Sequence, residues 1–347
     1  MDLESVILTR TLEANKKYGF MNNKNPRILS EYWFQDTIDG RAVFLVFYTQ
    51  ACRYSKCTGC NLPSRMSQHH IGYKDIMMQI RSAFDYVLDE EQKKTLKKII
   101  VSNNGSILDE DTFSTTALIY LISIINSECP NIDVLTLETR PEYVDIEELE
   151  VLSRALAEGD TPTSLELAIG FEAYDEIIRN QKFNKGLSLE KFEELAGMMA
   201  AINTKFTRKF PDDFRKMRLK TYFMLKPVSG ITDREAVEDI EKGIEYLDRL
   251  ATEYDLNINM HLNPTYVAKG TILEEEFRAG TYTPPDLRLA RDAVLTAEGK
   301  KISIYIGLYD EDLAVEGGSF LRGNDDKLWL EKLNSFNASQ DYRFLKE

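Results

Sequence analysis

Short apolar runs alternate with amphipathic stretches along most of this chain, and that alternation leaves few folds open. The runs read as strands: Phe44–Tyr48, Ile99–Ser102, Val134–Glu138, Leu165–Phe171, Leu219–Leu225 and Ile258–Leu262. They are near-continuously apolar, as strands covered on both faces are. Between them lie Tyr73–Leu88, Thr112–Ser127, Asp145–Glu158, Leu189–Ile202 and Asp233–Glu253, which read as helices. Asp233 is a candidate N-cap for the last, ahead of Ala236, Ile240, Ile244 and Leu247 at helical spacing. Such repetition builds a parallel sheet covered by helices. Six units fit an open, partial (β/α)6 barrel, and a doubly wound sheet fits almost as well. A helix near Leu287–Ala297 and a strand near Ile302–Ile306 follow. The expected division is an N-terminal extension over 1–40, a barrel over 41–285 and a C-terminal extension over 286–347.

Composition narrows the class. An apolar share of 43% over 347 residues is ample for a large core. The net charge of −14 argues against non-specific affinity for nucleic acid. The first ten residues lack the basic start and apolar run of a secretory leader, and no run reaches a membrane span. A cytoplasmic protein is expected.

Cys52, Cys57 and Cys60 fall within nine residues directly after the first strand, and Cys129 stands apart. A disulfide framework needs more cysteines. Three readings remain. The thiols are structural; or they hold zinc with His69 or His70 as fourth ligand; or they are three thiolates of a [4Fe–4S] cluster with one iron open. The spacing C-x4-C-x2-C and the distance to His69 favour the third.

Sites in parallel α/β folds form where strands end. After the second strand comes Asn103-Asn-Gly-Ser-Ile-Leu108, and at the end of the third Glu138-Thr-Arg-Pro141. Gly170-Phe-Glu-Ala173, Lys226-Pro227 and Asn263-Pro-Thr-Tyr266 follow the next three. Asn263 and Tyr266 are candidate substrate contacts. His261 and Tyr222 read better as core. The stretch Lys205–Lys220 carries seven basic residues with Phe206, Phe210 and Phe214 between them, which suits nucleic acid. It enters the fifth strand from the far end, however, and a solvated connection is the better reading.

These motifs together resemble the radical S-adenosylmethionine (SAM) enzymes. The cysteine spacing is that of their Elp3-like branch. Asn104-Gly-Ser-Ile-Leu-Asp109, Glu138-Thr-Arg-Pro-Glu142, Gly170-Phe-Glu-Ala-Tyr-Asp-Glu176, Asn184-Lys-Gly186, Leu225-Lys-Pro227 and Asn263-Pro-Thr-Tyr-Val-Ala-Lys-Gly-Thr271 are similar to its blocks, over roughly Asn25–Leu287. Within the branch the archaeosine-biosynthesis group (RaSEA) is the nearest resemblance. It implies an oxygen-sensitive enzyme with a [4Fe–4S] cluster on Cys52, Cys57 and Cys60 and with SAM on the open iron. Cleavage of SAM to a 5′-deoxyadenosyl radical then starts hydrogen abstraction. It implies SAM contacts from Asn104, Gly105, Ser106, Glu138, Glu172 and Lys185. The implied partners are a small-molecule or modified-nucleobase substrate, such as a 7-deazaguanine adduct in tRNA, and an electron donor such as flavodoxin or ferredoxin. Gly59 stands where the family often has an aromatic residue or Met, so shielding of the cluster is expected from elsewhere, with Tyr54 a candidate.

Overall fold

A computed structural model describes residues 2–310 and 312–346. The chain opens with helix α1 (Leu3–Glu13), capped by the Asp2 carboxylate, which accepts from the Ser5 N–H at 2.8 Å. A hairpin of β1 (Glu31–Thr37) and β2 (Gly40–Val46) follows, then α2 (Tyr73–Ser82) and α3 (Glu90–Thr95). From there strand and helix alternate: β3 (Lys98–Ser102), α4 (Thr115–Glu128), β4 (Val134–Thr139), α5 (Ile146–Ala157), β5 (Ser164–Glu172), α6 (Leu189–Lys209), β6 (Arg218–Leu225), α7 (Asp233–Glu253) and β7 (Asn257–Pro264). The last elements are α8 (Ile272–Arg278), α9 (Leu287–Leu295), β8 (Ser303–Ile306) and α10 (Asp326–Ser339).

All eight strands form one sheet in sequence order. The β1–β2 pair is antiparallel and every later pair is parallel. The sheet curls until its edges approach, with the Trp33 ring of β1 5.7 Å from that of Tyr309, just beyond β8. This is the open barrel, not the flat doubly wound alternative, and it carries two strands more than the six units expected. They come from the segments on either side of 41–285.

The helices cover the outer face. Buried Ile99, Val101, Leu135, Leu137, Leu165, Leu167, Leu219, Ile258 and Leu262 form with them the main apolar core. The inner face is largely polar instead, apart from an apolar patch of Phe44, Val46 and Ile100. Lys98 lies 2.9 Å from Asp39 and 2.8 Å from Glu166, and Arg218 closes on Asp39 at 2.6 Å. Burial pushes the Asp39 and Glu166 carboxyls up, but Lys98 outweighs it and both end low. These charges are buried yet paired, which is the condition for keeping them ionised inside a protein.

Several element ends differ from expectation for local reasons. The cap of α7 is Thr232, not Asp233. Its hydroxyl accepts from the Glu235 N–H while the Glu235 carboxylate accepts from the Thr232 N–H, a reciprocal capping box. Helix α2 ends at Ser82 and passes into a π-helical turn over Ala83–Val87. Helix α6 runs on to Lys209, seven residues past Ile202. Phe206, Phe210 and Phe214 then pack on one another, with ring centroids at 5.7 and 5.3 Å. The aromatic residues of the basic stretch therefore face inward, and Lys205 and Lys216 pair with Glu150 and Asp255.

Candidate active site

The rim at the C-terminal ends of the strands is assembled from backbone that bends out of regular geometry. Asn104 after β3, Glu172 at the end of β5, Lys226 after β6 and Ser55 in the cysteine loop all have positive φ, at 54, 74, 62 and 46°. Such conformations cost of order 1–3 kcal/mol each and persist where the surroundings over-determine them. At Glu172 the pairing of β5 with β6 also slips, and a bulge re-aims the side chain.

The three cysteines lie in the loop after β2, half-buried and free of disulfides. The loop is held on every side. The Thr58 N–H donates to the Phe183 carbonyl at 2.9 Å, and the Asn61 amide donates to the Lys269 and Leu313 carbonyls at 3.1 and 3.2 Å. Arg53 reaches Asp109 at 2.6 Å, pairs with Asp111 and bonds the Tyr143 hydroxyl at 3.2 Å. Burial carries the Asp109 carboxyl up to about 6, against the pull of Arg53. Burial also pushes the Cys57 thiol up and the Cys60 thiol up to about 12. Positive charge opposes that rise at both: Lys185, Arg140 and Lys16 at Cys57, and Lys16 at Cys60.

Gly59 has a packing reason. A Cβ there would come within 2.8 Å of the Phe183 ring. Phe183, from the loop before α6, thus fills the place beside the last cysteine. Tyr54 has other work: its hydroxyl donates to the Asn184 carbonyl at 2.8 Å, and the Arg140 guanidinium lies 3.7 Å above its ring.

The remaining sequence candidates fall into two groups. Gly105 backs onto Cys52, where a Cβ would lie 3.3 Å from its Cα. The Ser106 hydroxyl accepts from the Arg140 N–H at 3.2 Å, and Arg140 donates to the Lys185 carbonyl at 3.0 Å. Lys185 pairs with Glu172 at 2.7 Å, both largely buried. Asn104, Gly105, Ser106, Arg140, Glu172 and Lys185 therefore form one arc with Cys52 and Cys57. The Asn104 Nδ2 and Asn103 Oδ1 atoms are buried and have no hydrogen-bond partner among the described residues.

The second group lines the barrel interior below that arc. The Tyr222 hydroxyl donates to Glu138, whose carboxyl is pushed up by burial. His261 lies between the Tyr222 and Tyr305 rings, at 4.8 and 4.7 Å. Its Nδ1 has no hydrogen-bond partner among the described residues, and burial followed by Lys220 and Lys98 holds its pKa well below the ordinary range. Tyr222 and His261 thus belong to a polar inner surface, not to an apolar core. Asn263 sits beside His261, with both side chains against Gly307. Tyr266 is half-buried against the main core.

Away from the rim, His69 pairs with Glu4 at 3.1 Å, His70 is exposed, and Cys129 is buried at the C-cap of α4. Among the described residues no three His, Cys, Asp or Glu side chains converge as a single metal ion requires, and no helix is long and apolar enough to cross a membrane.

Sequence reasoning missed Lys16, Tyr18, Phe183 and Lys220. Lys220, with its ordinary value of 10.5 lowered to about 8 chiefly by burial and then by Lys98, has its ammonium 5.8 and 5.3 Å from the Tyr222 and Tyr305 ring centres. Its alternation with Tyr222 along β6 was the one available signal.

No family model matches the chain. A protein of Methanocaldococcus jannaschii, named uncharacterized protein MJ0550, is 25% identical over 97% of this chain and 88% of its own length. Archaeosine synthase subunit beta of Methanosarcina acetivorans is 27% identical over 72% of this chain and 66% of its own. The protein of that name from Thermococcus kodakarensis is 24% identical over 78% and 77%. A solved structure of Methanocaldococcus infernus Elp3 lacking residues 1–46 covers 76% of this chain and 58% of that one, with a TM-score of 0.49 at 15% identity. By sequence the chain is a relative of the proteins named archaeosine synthase subunit beta, in keeping with the radical SAM resemblance of its motifs.

Proposed function

We propose that the protein is a radical SAM enzyme whose Cys52, Cys57 and Cys60 hold a [4Fe–4S] cluster with one iron left for SAM. The observation that carries this is the surrounding of the thiols. Three buried cations, Lys16, Arg140 and Lys185, face them. Arg140 and Lys185 have carboxylate partners in Glu142 and Glu172, but among the described residues Lys16 has none, and a buried cation calls for an anionic partner. Three thiolates on an iron–sulfur cube are such a partner. A cube takes its ligands at separate corners, so the thiols need not meet at one point. The cluster, when bound, supplies the electron that cleaves SAM to methionine and a 5′-deoxyadenosyl radical.

The chain's own residues bind and orient. Glu172 and Lys185 present a carboxylate beside an ammonium, the complement of the ammonium and carboxylate of a bound amino acid. The unpartnered Asn104 amide is a donor at the same rim. Glu138 already accepts from Tyr222 and keeps lone pairs for a ribose diol. Below it, Tyr222, His261 and Tyr305 offer flat rings. Together with the relatives' name, this supports a modified nucleobase as the substrate, with Asn263 and Tyr266 at its edge. The electron comes from a small donor of the flavodoxin or ferredoxin kind.

Anaerobic reconstitution tests the core of the reading. The protein should turn brown, absorb near 400 nm and hold about four irons per chain. Alanine at Cys52, Cys57 or Cys60 should abolish both iron binding and SAM cleavage, and Cys129→Ala should leave both intact. A colourless protein holding one zinc would instead make it a zinc-binding module.

A further inference from the structure

One wall beside the cysteine loop is built by the segment between α1 and the β1–β2 hairpin. The Lys17 N–H donates to the Gly270 carbonyl at 2.7 Å, and the Met21 N–H to the Met66 carbonyl at 2.9 Å. The Tyr48 hydroxyl donates to the Met21 carbonyl, and the Asn22 carboxamide oxygen accepts from the Gln68 N–H at 2.8 Å. This strap carries Lys16 and Tyr18 against the cysteine loop.

Lys16 is 3% exposed. Its ammonium donates to the Ser55 carbonyl, between Cys52 and Cys57, at 3.0 Å and lies 3.4 Å from the Tyr18 hydroxyl. No carboxylate pairs with it among the described residues. Of the charged groups around Cys60 it acts most strongly, and it acts on Cys57 as well. Tyr18 stands near all three sulfurs: burial first, then Cys60, Cys52 and Cys57, push its hydroxyl pKa up. An ammonium taken out of water without an anion costs several kcal/mol, and three thiolates beside this one would offset that cost.

We infer that Lys16 is the counter-ion of the group held by Cys52, Cys57 and Cys60, a positioning residue that favours the reduced cluster. The inference rests on the radical SAM reading. Reduction adds one electron to a centre already carrying three thiolates. A fixed cation in a dry wall stabilises the added charge without reorganising. The Tyr18 ring packs beside the cation, its centre 5.7 Å from the ammonium.

The test is a potentiometric titration of the reconstituted full chain, followed by its electron paramagnetic resonance, for wild type, Lys16→Met and Lys16→Arg. The Met variant should be reduced at a more negative potential. At least a tenfold fall in the reduction equilibrium is expected, about 59 mV for one electron. The Arg variant should stay within about threefold of wild type. Iron content and melting temperature are measured alongside. A folded Met variant with full iron and the wild-type potential overturns the inference and leaves the radical SAM reading standing. Loss of iron in the Met variant with retention in the Arg variant supports it. Equal loss in both overturns it, because the requirement is then for the lysine's shape and not its charge. A wild-type chain that binds no iron overturns both.

Discussion

Glu172 shows how much one side chain can depend on backbone strain. Its φ of 74° and the slipped register beside it turn the carboxylate toward Lys185, 2.7 Å away. Glu138 reaches its place without strain, near the end of β4, where the regular pleat already points it inward. If both contact SAM, Glu→Gln at either should weaken its binding. Loss of one charge-assisted hydrogen bond costs about 1.5–3 kcal/mol, roughly 10- to 150-fold in affinity. Calorimetric titration of SAM into the reconstituted variants measures it, with iron content unchanged because neither residue ligates the cluster. Dissociation constants that do not move in either variant would place both carboxylates outside the SAM site. The cysteines were readable in the sequence because their spacing is local. The same holds for Glu138 and Glu172, which end apolar runs. Lys16, Tyr18 and Phe183 were not. They approach the cysteines through tertiary contacts, and nothing within a few residues of them differs from an ordinary loop.

The central strands and helices were readable because each carries its own period. Helix α7 was placed to the residue at both ends, although its cap is Thr232. Strand β1 was missed. Its sequence, Glu31-Tyr-Trp-Phe-Gln-Asp-Thr37, is half-exposed, and it lies at an edge, where one face sees solvent. The other edge is handled differently. The Asn337 side chain of α10 and that of Gln340 at its C-cap imitate a ninth strand. Gln340 accepts from the Ile304 N–H and donates to its carbonyl, both at 2.7 Å. Asn337 does the same to Ile306 at 2.8 Å. An uncovered edge is a template for other chains. Asn337→Ala should therefore strand two buried backbone groups at about 1–3 kcal/mol each. Urea unfolding should show a loss of about 2–6 kcal/mol, and light scattering a new tendency to associate. A variant as stable as wild type would mean that water replaces the amide. Neither partner was visible in the sequence, because a side chain that pairs with backbone leaves no periodic mark.

The barrel as a whole is apolar outside and largely polar inside, where the strand runs suggested apolar surfaces on both faces. Two acids and two bases close a network at the N-terminal end. Lys220 lies above it, with no hydrogen bond or ion pair to it among the described residues, facing Lys98, Glu166, Glu138 and Asp39. Its pKa of about 8 lies below the ordinary 10.5. The unfolded chain therefore binds more protons between about pH 8 and 10.5, and stability rises across that window. Below pH 8 the lysine is charged in both states, and the full cost of burying it is present, about 3 kcal/mol. Lys220→Met should raise neutral stability by about 2–3 kcal/mol and flatten the rise between pH 8 and 10.5, as urea midpoints across pH would show. A Met variant with the wild-type pH profile would assign the rise to other groups. The strap over the cysteines has a consequence in the making of the protein. Lys17 is synthesised near the start, but its partner Gly270 leaves the ribosome only after most of the barrel. Until then the wall carrying Lys16 has nothing to close on, and the thiols stand open on that side. Iron delivered during this interval would meet an accessible cup. If the thiols hold a cluster, iron delivered later meets them with the Lys17–Gly270 latch already closed.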